Sequence, residues 1–406
     1  MIDTLSRKPL RTNDTPAAFP SRIHCTYRAH RNYRMSHLPT AVSPPDSAAI
    51  AWPDAARQQQ FEQWLAASVS THGLRIDTLR PASSDASFRR YLRIDGTNGT
   101  NGTSFIVMDA PPAHEDVRPF TAVAGLIAAA GLHAPRVLAQ DAVHGFLLLT
   151  DLGSHLYLDA LQTAVAMSDT ATADRLMRAA LAALVVWQQR VDASSLPSYD
   201  DALLRRELAL FPEWCVQREF GITWNAEEQT TWATSCDLLV RSALAQPTVA
   251  VHRDYMPRNL MRCDADPAAA GVLANPGILD FQDAVRGPIT YDVASMLRDA
   301  FISWEEEQEL DWAIRYWQQA RKVGLPVSAD FGEFWKPLEW MGLQRHLKVL
   351  GIFCRLKHRD NKPAYSADLP RFFNYAHKVA VRYEGFGPLA RLLEPLMGAT
   401  RVDAFY

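Results

Sequence analysis

The chain has 406 residues, 48% hydrophobic and 21% charged, with a formal net charge of −3, proportions that fit a soluble globular protein and exclude a disordered, collagen-like or fibrous chain. At this length one core would be overgrown, so two packed lobes are expected, and the near-neutral balance argues against a general nucleic-acid binder. The five cysteines (Cys25, Cys215, Cys236, Cys263 and Cys354) lie far apart without a CxxC pair, which points away from a disulfide framework or zinc site and toward a reducing, cytoplasmic setting.

Residues 1 to about 50 are polar, rich in Arg and Pro, and without periodicity. They are expected to be disordered, with translation starting at Met35 preferred to an organelle-targeting peptide; no secretory signal and no membrane-spanning run is visible. Over 55–70 the residues Phe61, Trp64, Leu65 and Val69 recur at helical spacing, with Gly73 as terminator. Strands are predicted over 74–79, 88–94 and 104–109. A Gly/Asn loop at 96–102 suits a hairpin between the last two, and its Asn-Gly-Thr triplets are read as turns rather than glycosylation sequons. A helix over 118–130 and apolar stretches at 136–138 and 146–149 complete a small β-rich lobe, residues 51–150.

After Thr150-Asp-Leu-Gly153 the pattern turns helical, over 174–190 (Leu176, Ala180, Leu184 and Trp187 in register), 201–220 and 226–245. Short strands at 248–251 and 277–281 are the only sheet signals in this half. Helices resume from Tyr291, and the Trp-rich part between Trp304 and Trp340 reads as core packing. The predicted fold class is α+β, a small β-rich N-lobe followed by a large, mainly α C-lobe over 151–406.

The segment Val251-His-Arg-Asp-Tyr-Met-Pro-Arg-Asn-Leu260 contains H-R-D-x-x-x-x-N, and Ile278-Leu-Asp-Phe281 follows it. In phosphoryl transfer the loop Asp orients the acceptor hydroxyl and takes its proton, while the Asn and a second Asp hold Mg²⁺ against the phosphates. Asp254 is therefore the catalytic candidate, and Asn259 and Asp280 are the metal candidates, three oxygen-bearing groups suited to a hard cation. The chain lacks G-x-G-x-x-G and Ala-Pro-Glu, which disfavours a protein substrate, and lacks the P-loop motif.

The stretch Leu279-Asp-Phe-Gln-Asp-Ala-Val-Arg-Gly-Pro-Ile-Thr-Tyr-Asp-Val-Ala294, together with the loop before it, resembles the aminoglycoside phosphotransferase-like family of small-molecule kinases. Within that family the chain looks most like the bacterial kinases that phosphorylate N-acetylmuramic acid and N-acetylglucosamine at the anomeric carbon during peptidoglycan recycling. The supporting segments are Ser83–Tyr91, Val107–Pro112, Pro197–Glu207, His252–Met261 and Gln344–Lys348. The resemblance implies a protein-kinase-like two-lobe fold, ATP and Mg²⁺ as cofactors, nucleotide binding in the N-lobe, and catalysis and sugar binding in the C-lobe. It implies an amino sugar and ATP as partners, and no nucleic acid, membrane or obligate protein partner. The alternatives are a kinase of another small alcohol, such as an aminoglycoside or amino alcohol, and a non-catalytic pseudokinase binding module.

The chain departs from the kinase pattern in its third strand, Phe105-Ile-Val-Met-Asp109, which has no Lys, and the helix position in register with the usual Glu is Phe120. Loss of both together is sensible, because either charge alone would be buried unpaired. Phe88, Arg90, Leu92 and Ile94 share a strand face; if that face covers the nucleotide, Arg90 is the replacement cation, and otherwise Arg89 and Arg90 are solvated strand charges. Ser83, Ser84 and Ser87, in a loop of small residues, are candidates to cradle phosphate. By resemblance, adenine is expected at the main chain of Thr150, Asp151 and Leu152. His252 is expected to brace the loop, and Asp292 either caps a helix or, by resemblance, anchors the catalytic loop. The run Glu305–Glu309 reads as a helix start with a Ser303-to-Glu306 capping box rather than as a pocket for a polycation. A lactyl carboxylate on the sugar would want a cation, for which Arg205, Arg206, Arg298 and Arg345 are candidates.

Overall fold

The computed structural model describes residues 50–83, 88–97, 104–263 and 273–398, all within the unit Leu38–Tyr406. The predicted disorder over 1–50 lies outside these residues, apart from Ile50.

Helix α1 (Ala55–His72) starts where the Asp54 carboxylate accepts the Arg57 N–H and ends at Gly73, whose φ of 60° is the left-handed turn that glycine takes without Cβ strain. There follow β1 (Leu74–Ser83), β2 (Arg90–Gly96), β3 (Ser104–Asp109), α2 (Arg118–Ala129), β4 (Leu132–His133), β5 (Val137–Asp141) and β6 (Phe146–Thr150). Five of these strands form an antiparallel sheet in the order β1-β2-β3-β6-β5. Alternation sorts its side chains onto two faces. Leu92, Ile94, Val107, Phe146 and Leu148 pack with Phe61 and Leu65 of α1 on the outer face. Tyr91, Ile106, Met108, Leu147 and Leu149 face inward and join the main core with Phe120 and Val123 of α2.

The second half contains α3 (Tyr157–Ala166), α4 (Thr170–Arg190), α5 (Asp201–Leu208), a π-helix (Phe211–Glu219), α6 (Ala226–Leu244), β7 (Thr248–Val251), β8 (Leu260–Met261), β9 (Leu273–Ile278), β10 (Val285–Pro288), α7 (Tyr291–Leu297), α8 (Glu306–Lys322), α9 (Phe331–Asp360), α10 (Leu369–Arg382) and α11 (Gly387–Leu393). The helix expected over 201–220 is two pieces. Pro212 contributes no N–H to the ladder, and the chain beyond it winds as the wider π form. That junction is held closely: a Cβ on Gly351 of α9 would lie 2.4 Å from the Leu210 carbonyl carbon.

More strands occur here than the sequence pattern suggested. β10 pairs antiparallel with β7, β8 pairs with β9, and β4 of the first half pairs parallel with β9. Two-residue strands, and one reading Val-Arg-Gly-Pro, leave no alternation to detect. The two ladders bracket the H-R-D segment, one ending at its start and the other beginning at its end. The tryptophans Trp304 and Trp312 are core residues as expected. The capping box is shifted, because Glu305 rather than Ser303 is the N-cap of α8, paired with Gln308, while the Ser303 hydroxyl accepts from Tyr375 Oη. Among the described residues the four cysteines are free and buried, and no helix is long and apolar enough to cross a membrane.

Candidate active site

Strand β7 delivers His252, Arg253 and Asp254 at its C-terminal end, and a 3₁₀ turn at Pro257–Asn259 carries Asn259 to the start of β8. Because β8 pairs with β9 (Leu260 opposite Ile278), the Leu279 N–H reaches the Asn259 carbonyl at 2.9 Å and Asp280 arrives beside Asn259. The Asn259 side-chain amide donates to the Asp254 carbonyl at 3.0 Å and to Asp280 Oδ2 at 3.3 Å, and Gln282 Nε2 donates to Asp280 Oδ1 at 2.8 Å. The three residues singled out for chemistry are thus brought together. Arg253 (φ 76°) and Asp280 (φ 61°) both sit in the left-handed region, which costs a non-glycine residue roughly 1–3 kcal/mol and persists only where the surroundings enforce it.

At Arg253, Asp292 supplies the enforcement. It lies fully buried in the first turn of α7, and its carboxylate accepts the His252 N–H at 2.7 Å and the Arg253 N–H at 3.0 Å. It caps no helix. Burial pushes its carboxyl up to about 7, against the pull of those two N–H groups and of Arg345. His252 is also buried, and burial depresses its imidazole to about 4, so the ring is neutral at neutral pH; its Nδ1 accepts the Asp254 N–H at 3.3 Å.

Sequence reasoning missed the group that holds the Arg253 side chain. Arg253 Nη2 donates to Glu207 of α5, Lys348 of α9 pairs with the same carboxylate at 2.9 Å, and the Tyr199 hydroxyl donates to its other oxygen. Lys348 also reaches Tyr291 Oη at 3.0 Å. Burial pushes the Glu207 carboxyl up, but Lys348 and Arg253 outweigh it and hold it below its ordinary value. A signal was present: Glu207 falls between Leu204 and Leu208 on the buried face of α5, and a charge on an apolar helix face demands a partner.

The N-lobe charges differ from expectation. Arg90 lies on the outer, α1-covered face; its Nε donates to Asp109 at 2.9 Å, the same carboxylate takes Arg57 Nε at 3.1 Å, and the Arg90 guanidinium stacks over Trp52 at 4.4 Å. Arg90 is therefore not a phosphate-facing cation, because the strand face it shares with Leu92 and Ile94 packs on α1. Arg93 faces inward and clasps Asp151 at 2.6 and 3.1 Å, and Asp151 also accepts from Ser104 Oγ and the Gly153 N–H. The Asp151 side chain thus ties β2 and β3 to the segment joining the lobes. The Thr150 N–H is taken by the Arg136 carbonyl at 3.0 Å, which removes it as an adenine donor, while the Leu152 carbonyl lies 3.7 Å from Cys263 Sγ. Ser84 and Ser87, and the side chain of Ser83, lie outside the described residues.

Two of the four candidate substrate cations are already neutralised. Arg298 is buried between Glu309 (3.1 Å) and Glu339 (3.0 Å), and Arg205 lies on the surface between Asp201 and Asp237. Arg345 is buried, donating to Ser295 Oγ at 2.7 Å and lying over the Tyr291 ring, and Arg206 is exposed on α5. The acidic run at the start of α8 is likewise paired: Glu306 with Lys378 and Arg382, Glu309 with Arg298.

A family model described as "Phosphotransferase enzyme family" matches residues 78–330. The chain is 50% identical over 318 residues to the N-acetylmuramate/N-acetylglucosamine kinase of Pseudomonas aeruginosa, covering 78% of this chain and 88% of that one. It is 43% identical over 348 residues to the protein of the same name from Neisseria meningitidis, covering 86% and 98%. Among solved structures, a Plasmodium vivax ethanolamine kinase matches with a TM-score of 0.53 at 9% identity, covering 84% of this chain and 92% of that one, a likeness of fold alone.

Proposed function

We propose, starting from the fact that this chain belongs to the phosphotransferase enzyme family, that it transfers the γ-phosphoryl group of ATP to the anomeric hydroxyl of N-acetylmuramic acid and N-acetylglucosamine in peptidoglycan recycling. The observation that carries the reading is the Asn259 amide bridging Asp254 and Asp280. It gathers an acceptor for a hydroxyl proton and two oxygen donors at one edge of the C-lobe. The relatives' substrates supply the sugar.

Asp254 orients the anomeric O–H and accepts its proton as the oxygen bonds to phosphorus and ADP leaves with the bridging oxygen. That hydroxyl suits a weak base, because the ring oxygen makes it more acidic than the sugar's other alcohols. His252, buried and neutral, holds the Asp254 main chain and exchanges no proton. The residues present fit Mg²⁺: one carboxylate (Asp280) and one amide oxygen (Asn259, its nitrogen being spent on Asp254 and Asp280) are hard donors of the number a phosphate-borne Mg²⁺ takes from protein. When bound, the ion would neutralise phosphate charge. An ATP-dependent reaction suits the cytoplasm, where that nucleotide is supplied.

Incubation of the enzyme with ATP and each sugar, alongside the methyl glycosides of both, tests the reading. The free sugars are expected to be phosphorylated and the glycosides, which differ only in the blocked anomeric oxygen, are not. A glycoside phosphorylated at a comparable rate would overturn the anomeric assignment.

A further inference from the structure

We infer that Glu207 is a positioning residue for the transfer step: by gripping the side chain of Arg253 it fixes the turn that presents Asp254 to the acceptor. The inference rests on the reading that Asp254 takes the proton of the acceptor hydroxyl.

Asp292 holds the main chain on the near side of that turn, through the N–H groups of His252 and Arg253. The next bond, from the Arg253 nitrogen to its Cα, carries the left-handed torsion of 76°. Any rotation about it swings the Arg253 side chain and the Asp254 that follows. Asp254 itself is tied to His252 at 3.3 Å and to the Asn259 amide at 3.0 Å, both groups of the same loop. The Arg253 side chain instead ties the turn to another part of the fold: its Nη2 donates to Glu207 Oε1 of α5, and its guanidinium lies 5.9 Å over the Tyr199 ring. A grip on the nitrogen and a grip on the side chain fix the torsion between them, at a residue whose backbone would otherwise relax out of the left-handed region.

Glu207 is built as a fixed point. Its Oε2 accepts from the Tyr199 hydroxyl, and its Oε1 takes Lys348 Nζ of α9 at 2.9 Å beside Arg253. Lys348 goes on to the Tyr291 hydroxyl at 3.0 Å, and Tyr291 stands in α7 next to Asp292. The contacts close a circuit: Asp292 to the Arg253 main chain, the Arg253 side chain to Glu207, Glu207 to Lys348, and Lys348 back to the neighbour of Asp292. Glu207 and Lys348 are buried, and charges withdrawn from water in this way add little stability that apolar packing could not. What they add is direction, because a guanidinium and an ammonium sharing one carboxylate oxygen admit few arrangements. Lys348 and Arg253 hold the Glu207 carboxyl below its ordinary value despite burial, so the anchor is charged at neutral pH.

The test is steady-state kinetics of phosphoryl transfer to N-acetylglucosamine on full-length variants, with folding checked by thermal melting. Arg253→Met removes the grip and leaves Glu207 paired with Lys348. Glu207→Gln is combined with Lys348→Met, because alone it would leave the buried ammonium unpaired. Arg253→Met should lower kcat roughly 10- to 100-fold, the size of effect a small misplacement of a reacting group brings, with KM for ATP and sugar changed less than about twofold. Arg253→Lys should recover part of the loss. The Glu207→Gln, Lys348→Met double variant should lower kcat to a similar extent and add nothing in an Arg253→Met background. Glu219→Gln, which breaks a pair with Lys357 further along α9, should leave kcat unchanged. Wild-type kcat in Arg253→Met or in the double variant, additive losses when they are combined, an equal loss in Glu219→Gln, or a KM rise in place of the kcat fall overturns the role of Glu207. If the double variant does not fold, the Arg253 variants decide: a kcat unchanged by Arg253→Met, or a loss that Arg253→Lys does not lessen, overturns it. Wild-type turnover in Asp254→Asn, or a wild type that phosphorylates no sugar, overturns the reading on which the inference rests, and the inference with it.

Discussion

The loop between β7 and β8 and the sheet built on β2 and β3 both hold charged side chains in place, and they do so by opposite means. In the loop the main chain is fixed first: Asp292 takes two consecutive N–H groups, the backbone adopts a left-handed turn at Arg253, and the side chains of Asp254 and Asn259 follow. In the strands, side chains fix one another: Arg90 and Arg57 share Asp109, Arg93 takes Asp151, and Arg89 takes Glu115. A loop held through its backbone has one point of failure beneath it. A lobe held through pairs fails one pair at a time, each with its own consequence.

The sharpest test of the loop is at the residue it presents rather than the one that holds it. Asp280→Asn keeps the shape and an oxygen for the Asn259 amide but turns the oxygen that accepts from Gln282 into an NH2 group and removes the charge, so turnover should fall at least about 10³-fold while the far-ultraviolet circular dichroism is unchanged. Near-wild-type turnover in a folded variant would remove Asp280 from the site.

Asp292→Asn should come next. The amide offers one oxygen where two N–H groups need acceptors, leaving a buried donor unsatisfied at a cost of about 1–3 kcal/mol and loosening the loop, so stability and kcat should fall together. A pH signature accompanies the loss. Because burial raises the folded Asp292 carboxyl from 3.8 to about 7, its favourable contribution is complete below about pH 4, declines as pH rises and is gone above about 7. Asp299, raised to about 6 by burial, acts in the same direction, so the comparison must be between wild type and variant. The Tm of Asp292→Asn should decline less between pH 4 and 7 than that of the wild type; parallel curves would show that Asp292 does not titrate in that range.

The same contrast explains what could be read in advance. The loop was legible because its chemistry is contiguous: Asp254 and Asn259 lie on one short turn, and Asp280 is brought to them by the short β8–β9 ladder. The β3 strand was legible to the residue, over Ser104–Asp109, because an apolar run from Phe105 to Met108 is bounded by a polar residue at each end. The fate of Arg90 was not, since alternation tells which residues share a face but not which face α1 covers. Glu207 and Lys348 escaped for a related reason: they come from α5 and α9 and meet only in the fold. The π-helix after Pro212 and the strands β8 and β10 leave too little periodicity to detect.

The strand arginines offer the next test, with smaller effects. Arg93→Ala removes the clasp between the sheet and Asp151 at the lobe connection, so the KM for ATP should rise several-fold. Arg90→Ala leaves Asp109 still held by Arg57 and lies on the face away from the cleft; it should lower stability by about 1–2 kcal/mol with the KM for ATP unchanged. The reverse pattern, a KM effect from Arg90 and none from Arg93, would mean that the outer face is the one the nucleotide uses.

The smallest effect is expected at Arg205, and its smallness is informative. Its guanidinium bridges Asp201 and Asp237 at 2.9 and 2.7 Å, but all three side chains are about half exposed. Exposed pairs of this kind contribute only about 0–1 kcal/mol and are screened by salt. Arg205→Ala should therefore change stability by no more than that, less still in high salt, and leave turnover of both sugars unchanged. The two substrates turn the null result into a discriminating one, because N-acetylmuramic acid carries a lactyl carboxylate and N-acetylglucosamine does not. If Arg205→Ala raised the KM for N-acetylmuramic acid alone, the exposed end of α5 would be part of the sugar site and its two aspartates would be partners that the substrate displaces. Equal KM values for wild type and variant, on both sugars, leave Arg205 as a surface charge.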